Sequence, residues 1–158
     1  MATGSDTRPI LRYFEDYQSY HQDATNERTH WIGIPLIVLA VAGLLSRVSV
    51  GPAWGGGAFG FDAGLLLWLV AAAFYIWLDF RLGASFSVMM LGLYVLGRQL
   101  MYSDFWWLLW VLFIGGWILQ FVGHYRYEKK SPAFLKNIEH LLVGPFWIFA
   151  KAVGYYRP

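Results

Sequence analysis

The 158-residue sequence predicts an all-α integral membrane bundle with four transmembrane helices, an N-terminal surface helix and C-terminal interfacial helices. Three observations predict it. Hydrophobic residues make up 58% and charged residues only 14%, against about 25% charged in an ordinary soluble domain. The few charges bracket four uncharged, mostly apolar runs. Aromatics reach 20%, with 9 Trp and 10 Tyr, residues that favour a membrane interface. The length suits a single membrane domain over residues 1–158.

The same numbers exclude several function classes. A net charge of +2 supplies no basic surface for tracking phosphates, so no nucleic-acid partner is expected. The absence of cysteine removes disulfides, thiolate nucleophiles, zinc fingers and iron–sulfur clusters together. The partner that composition does imply is the lipid bilayer.

Residues 8–21 read as the surface helix. Ile10, Phe14, Tyr17 and His21 are spaced four, three and four apart, so they share one face, to lie on the membrane or on the bundle. Gln22–Thr25 reads as a turn, and Asn26 as the N-cap of the first transmembrane helix. The break matters. Unbroken helix between His21 and His30 would rotate by about 900° and put the two on opposite faces. A turn lets both imidazoles converge.

The spans follow at residues 31–47, 63–79, 82–98 and 105–123. The first three are slightly short for a hydrocarbon core of about 30 Å. Snorkelling Arg47 and Arg98, with interfacial Trp, absorb the deficit. Asp79–Gly83 links the second and third spans. Gly51–Gly60 falls in an external loop, lacks the GxxxxGK[ST] phosphate cradle, and reads as a flexible or membrane-skimming turn. Phe105-Trp106-Trp107 is an aromatic belt at the start of the fourth span.

Of the 12 Lys and Arg, only Arg47 and Arg98 fall on the far side, which puts both termini in the cytoplasm. Residues 1–30 lack the apolar core of a signal peptide. The expected location is the inner membrane of a bacterium or the endoplasmic reticulum of a eukaryote, with polar ends 1–30 and 124–158 in the cytoplasm.

The C-terminal end carries more chemistry. His124 and Glu128 are four apart and share a helical face. Ser131-Pro132 reads as an N-cap followed by Pro at the first helical position. The helix it opens would run to about Val143 and present Asn137 and His140 before Gly144-Pro145 breaks it. Phe146–Tyr156 is apolar but too short to span, and is expected in the interface or folded back into the bundle.

All four histidines, His21, His30, His124 and His140, therefore sit at cytoplasmic helix ends. A lone polar group beside an apolar span is costly. Several neutral imidazoles at one membrane face form a candidate site for zinc, iron or copper. Neither HExxH nor the HxxxH and HxxHH clusters of membrane desaturases occur, and no serine lies in a nucleophile motif. The spans hold almost no polar side chains besides Ser and Gln120, which argues against ion transport. From residues alone, a metal-dependent membrane enzyme and a non-enzymatic lipid- or metal-binding scaffold both stand.

Both polar ends resemble the Mpo1-like family. The stretches are Tyr20-His21 with Asn26, His30 and Pro35, and then Trp117-Ile118-Leu119-Gln120-Phe121-Val122-Gly123-His124. Glu128-Lys129, Pro132-Ala133, Asn137, Leu142 and Gly144-Pro145 follow, while the middle spans match only in hydropathy. The resemblance implies a helical membrane enzyme that uses Fe(II) and O2 to shorten a long-chain 2-hydroxy fatty acid by one carbon, as in fatty acid α-oxidation. It implies His21, His30 and His124 as metal ligands and Glu128 as a carboxylate that orients a histidine; in the resting protein, with no substrate bound, His140 is expected as a fourth ligand. A 2-hydroxy acid can chelate iron through carboxylate and hydroxyl while its tail stays in the bilayer or among the spans. Trp31, Trp117, Phe121 and Phe146 are candidates to border that tail, and Arg126 or Lys130 to steer the carboxylate.

Overall fold

The computed structural model describes residues 8–50 and 61–157. Six α-helices follow in chain order: α1 (Pro9–Ser19), α2 (Ala24–Leu45), α3 (Ala63–Leu78), α4 (Phe80–Met101), α5 (Trp107–Val122) and α6 (His140–Ala152). Among the described residues the only extended pairing is a single bridge between Ser49 and Asp62. The Gly-rich loop expected at 51–60 lies outside the described residues.

Three helices are long and apolar enough to cross a membrane: α2, α4, and α5 with its continuation to Glu128, each 22 residues. α3 is apolar but has only 16 residues. Their outward faces remain apolar, with Trp77, Val88 and Ile114 all exposed. Exposure of that kind over several helices marks a surface that lipid would cover.

α2 is the axis on which the others are laid. It packs against α5 where Gly33 faces Gly116, and against α4 where Gly43 faces Gly97. A Cβ at Gly43 would stand 2.6 Å from the Gly97 carbonyl oxygen, and one at Gly33 would stand 2.9 Å from that of Gly116. Without driving force from water, helices in lipid associate by such close backbone approach. The Gly33–Gly116 crossing has a functional consequence. It brings His30, one turn before Gly33, beside His124 at the end of α5.

Asp79 alone joins α3 to α4, and α4 begins at Phe80, earlier than the sequence suggested. The Asp79 carboxylate caps α4 by accepting from Leu82 N at 2.8 Å, which removes the need for a longer turn. At the other end of this hairpin Asp62 is buried. It caps α3 through Leu65 N, and accepts from Tyr94 Oη at 2.8 Å and Arg98 Nε at 3.2 Å.

The stripe predicted on α1 faces the bundle. Ile10, Phe14 and Tyr17 are buried, with Phe14 edge-on to Phe146 and Tyr17 against Trp147. Burying each such side chain contributes about 1.5–3 kcal/mol, enough to dock a short helix.

Two expectations fail at the C-terminal end. The helix expected over 132–143 is only a 3-10 turn at Ala133–Leu135, and α6 starts at His140. Gly144-Pro145 does not break it: both lie inside α6. The reason is packing. Val143, Phe146, Trp147 and Ala150 recur at helical spacing and are all buried, so the apolar face outweighs one lost backbone hydrogen bond. Gly144 is required there because a Cβ would stand 2.7 Å from the Tyr17 hydroxyl. The last segment therefore folds back into the bundle.

Candidate metal centre

Three imidazoles arrive at one point from three elements. His21 follows α1, His30 lies in the second turn of α2, and His124 lies just past α5. One nitrogen from each lies within 4.8 Å of the others, and all three side chains are buried. The ring centroids are 4.5 Å apart for His21–His30, 4.9 Å for His21–His124 and 4.8 Å for His30–His124.

Convergence depends on the break between α1 and α2. The cap of α2 is Asp23, not Asn26: its carboxylate accepts from Thr25 N at 2.7 Å and Asn26 N at 2.9 Å. Asp23 has extended backbone and an acceptor long enough to reach both amides, whereas Asn26 is already inside the helix. The break covers residues 20–23, as long as the predicted turn but two residues earlier, and it lets His21 and His30 converge.

Backbone carbonyls orient two of the rings. His21 Nδ1 donates to Tyr17 O at 2.7 Å and His30 Nδ1 donates to Asn26 O at 2.8 Å. With the proton held on Nδ1, each ring presents the Nε2 lone pair, the arrangement that fixes the tautomer of a ligand histidine. Tyr17 also stacks on His21, with centroids 4.1 Å apart. Burial keeps His21 neutral, lowering its pKa to about 2, and the nearby His30 acts in the same direction. A neutral imidazole is the form that binds metal.

The donor set fits a metal ion. His30 Nε2 and His124 Nε2 are 3.1 Å apart. Nitrogens bound at about 2.0–2.1 Å from one ion stand about 3 Å from each other when adjacent. His21 Nε2 and His124 Nδ1 are buried without a hydrogen-bond partner. Orphaned buried nitrogens cost free energy that a cation at His21 Nε2 would offset.

His140 lines the same cavity but stands outside the three-histidine group. Its Nε2 is 2.7 Å from Asp16 Oδ2, while its Nδ1 is buried without a partner. The Asp16 contact had no sequence signal, since 124 residues separate the pair.

Glu128 does not stack on His124 as an i, i+4 partner. From Gly123 the chain runs as a π-helical turn to Glu128, which changes the residue spacing. Gly123 allows it to press against Asn26 and Thr29. The Glu128 carboxylate accepts from Gln22 N, Asp23 N and Asn26 Nδ2 at 2.9–3.1 Å, and no hydrogen bond links it to a histidine among the described residues. Its cation is Lys130 at 3.8 Å, not Lys129 or Arg126. Glu128 thus pins the turn that carries His21 and leads into the helix of His30. Glu128→Ala should strand three donors, costing about 1.5–3 kcal/mol of stability, and should weaken metal retention by about 10–100-fold. Thermal unfolding and metal titration measure the two effects.

Of the residues expected to border a substrate tail, Trp117 lines the cavity and Phe121 stacks on it. Phe146 is instead fully buried among Phe14, Tyr75 and Phe86. Trp31 donates through Nε1 to Glu27 Oε1. Sequence reasoning missed Tyr17 and Asn26 as carbonyl partners of the histidines. Their position four residues before each histidine was the available signal, because a helical i−4 carbonyl lies within reach of the ring.

Comparison with known proteins matches nearly the whole chain. A family model described as "2-hydroxy-palmitic acid dioxygenase Mpo1-like" matches residues 7–156. A Saccharomyces cerevisiae protein named "2-hydroxy-palmitic acid dioxygenase MPO1" is 28% identical over 135 residues, covering 84% of this chain and 72% of the yeast protein. No solved structure matches.

Proposed function

The chain belongs to the Mpo1-like family, and on that ground we propose that it is an Fe(II)-dependent dioxygenase acting on 2-hydroxy fatty acids at a membrane surface. The observation that carries this reading is the buried three-histidine cluster. The reaction balances as a 2-hydroxy acid plus O2 giving the acid one carbon shorter, CO2 and water.

His21, His30 and His124 would hold the metal. Iron(II), when bound, supplies the redox chemistry that lets O2 oxidise the hydroxyl-bearing carbon. The chain's own residues do the rest. The Tyr17 and Asn26 carbonyls hold the Nδ1 protons of His21 and His30 and so aim the rings. Glu128 fixes the intervening turn. Packing around the cluster excludes bulk water. A metal held by these three histidines would keep room for the carboxylate and hydroxyl of a 2-hydroxy acid. His140, whose Nδ1 is buried without a partner, would be the fourth ligand of the resting protein.

The expected result is that purified protein with Fe(II) and O2 converts 2-hydroxyhexadecanoic acid to pentadecanoic acid, read by mass spectrometry. No product from any chain length would favour the scaffold reading. The same proposal includes four spans, with α3 as the short one, and both termini cytoplasmic. Reporter fusions at each terminus check this, and a C-terminus on the far side would overturn it.

A further inference from the structure

His140 is oriented differently from His21 and His30. Those two each donate to the backbone carbonyl four residues earlier, on the preceding helical turn. His140 opens α6, so no turn of that helix comes before it to lend such a carbonyl. A side chain takes the place. Asp16, a residue of α1, sets its Oδ2 2.7 Å from His140 Nε2.

An ionised carboxylate can only accept a hydrogen bond, so Nε2 carries the ring proton and the lone pair of the neutral imidazole is on Nδ1. Nδ1 is buried without a hydrogen-bond partner, and the ring lines the cavity shared by His21, His30 and His124. Tyr17 and Tyr20 meet the ring edge-on, each with centroids 5.7 Å away, which keeps it from turning over. The Asp16 side chain is 57% exposed, so it reaches the ring from outside while Nδ1 stays within. A pair with one partner so exposed adds little to folding stability. Asp16 and Tyr17 are neighbours on α1, and the burial of Ile10, Phe14 and Tyr17 fixes that helix. One docked helix thus aims two imidazoles, His21 through a carbonyl and His140 through a carboxylate.

We propose that Asp16 is a positioning residue of the metal centre. It fixes the Nε2–H tautomer of His140 and so offers the Nδ1 lone pair to the cavity, as a fourth imidazole beside His21, His30 and His124. A carboxylate behind a ligand histidine sets its tautomer and raises its basicity. This is the role the sequence suggested for Glu128, which instead pins the turn before α2. The gain in metal affinity rests on the proposed metal site. The tautomer rests on the Asp16 contact alone.

The test is a double-mutant cycle on the full chain in lipid nanodiscs, with Co(II) as the probe metal and affinity read by competition with a chromophoric chelator. Asp16→Ala should weaken Co(II) binding by about 10–100-fold. In the His140→Gln protein the same change should have no further effect, because the ring it acts on is gone. An equal loss in both backgrounds, as a merely structural carboxylate gives, or no loss in either, would overturn the positioning role. Nitrogen NMR of the metal-free, histidine-labelled protein reads the tautomer without any metal. His140 should hold its proton on Nε2, and Asp16→Ala should let the two tautomers mix. A His140 signal unchanged by Asp16→Ala would also overturn the proposal. Protein that binds no Co(II) but shows the expected tautomer change sinks the metal centre and leaves Asp16 as the group that orients the ring.

Discussion

Replacing His30 by Ala is expected to remove bound iron and turnover together, while the protein still inserts and folds. The ring offers a lone pair to the cluster and donates its Nδ1–H to Asn26 O, so truncation deletes a ligand without freeing a charge. The same loss is expected for His21→Ala and His124→Ala, each on the order of 100-fold or more in iron affinity, the upper range seen when even an outer partner of a metal ligand is lost. His140→Gln should differ: iron retention weakens but measurable turnover remains, because His140 is tied to Asp16 and lies outside the three-histidine group. Iron content by elemental analysis beside the product yield separates these outcomes. If His140→Gln is as inactive as His124→Ala, His140 is a full catalytic ligand. If His21→Ala or His30→Ala keeps full iron content, the N-terminal half of the site is wrong.

The second large effect concerns the substrate's hydroxyl. Hexadecanoic acid should be turned over at least about 100-fold less efficiently than its 2-hydroxy form, because it loses one arm of the chelate and about 2–3 kcal/mol of binding with it. The comparison is made on the same protein preparation with both acids at equal concentration. Equal turnover would remove the bidentate mechanism and leave the histidine cluster standing.

The sequence was informative wherever one physical constraint dominated. Charges bracket apolar runs, so α2, α4 and α5 could be placed within a few residues. The Ile10, Phe14, Tyr17, His21 spacing gave the buried face of α1. The need for a break between His21 and His30 followed from helical rotation alone. It was less informative where two local signals competed. Ser131-Pro132 is a strong helix start, yet α6 begins at His140 because the continuous apolar face lies further on. Gly144-Pro145 is a strong stop, yet Gly144 is there to admit the Tyr17 hydroxyl. The π-helical turn at Gly123–Glu128 changes the residue spacing, and the i, i+4 rule applied to His124 and Glu128 assumes ordinary α-helix. The Asp16–His140 contact belongs to tertiary packing and has no local signature.

The three buried imidazoles are proposed to hold iron. The most direct measurement is metal analysis of the untagged protein, purified from membranes without added metal or chelator. Close to one iron per chain is expected, lost in the His30→Ala protein prepared in parallel. Protein that is folded and active on 2-hydroxyhexadecanoic acid with no stoichiometric iron, or iron that persists undiminished in His30→Ala, would contradict the proposed site.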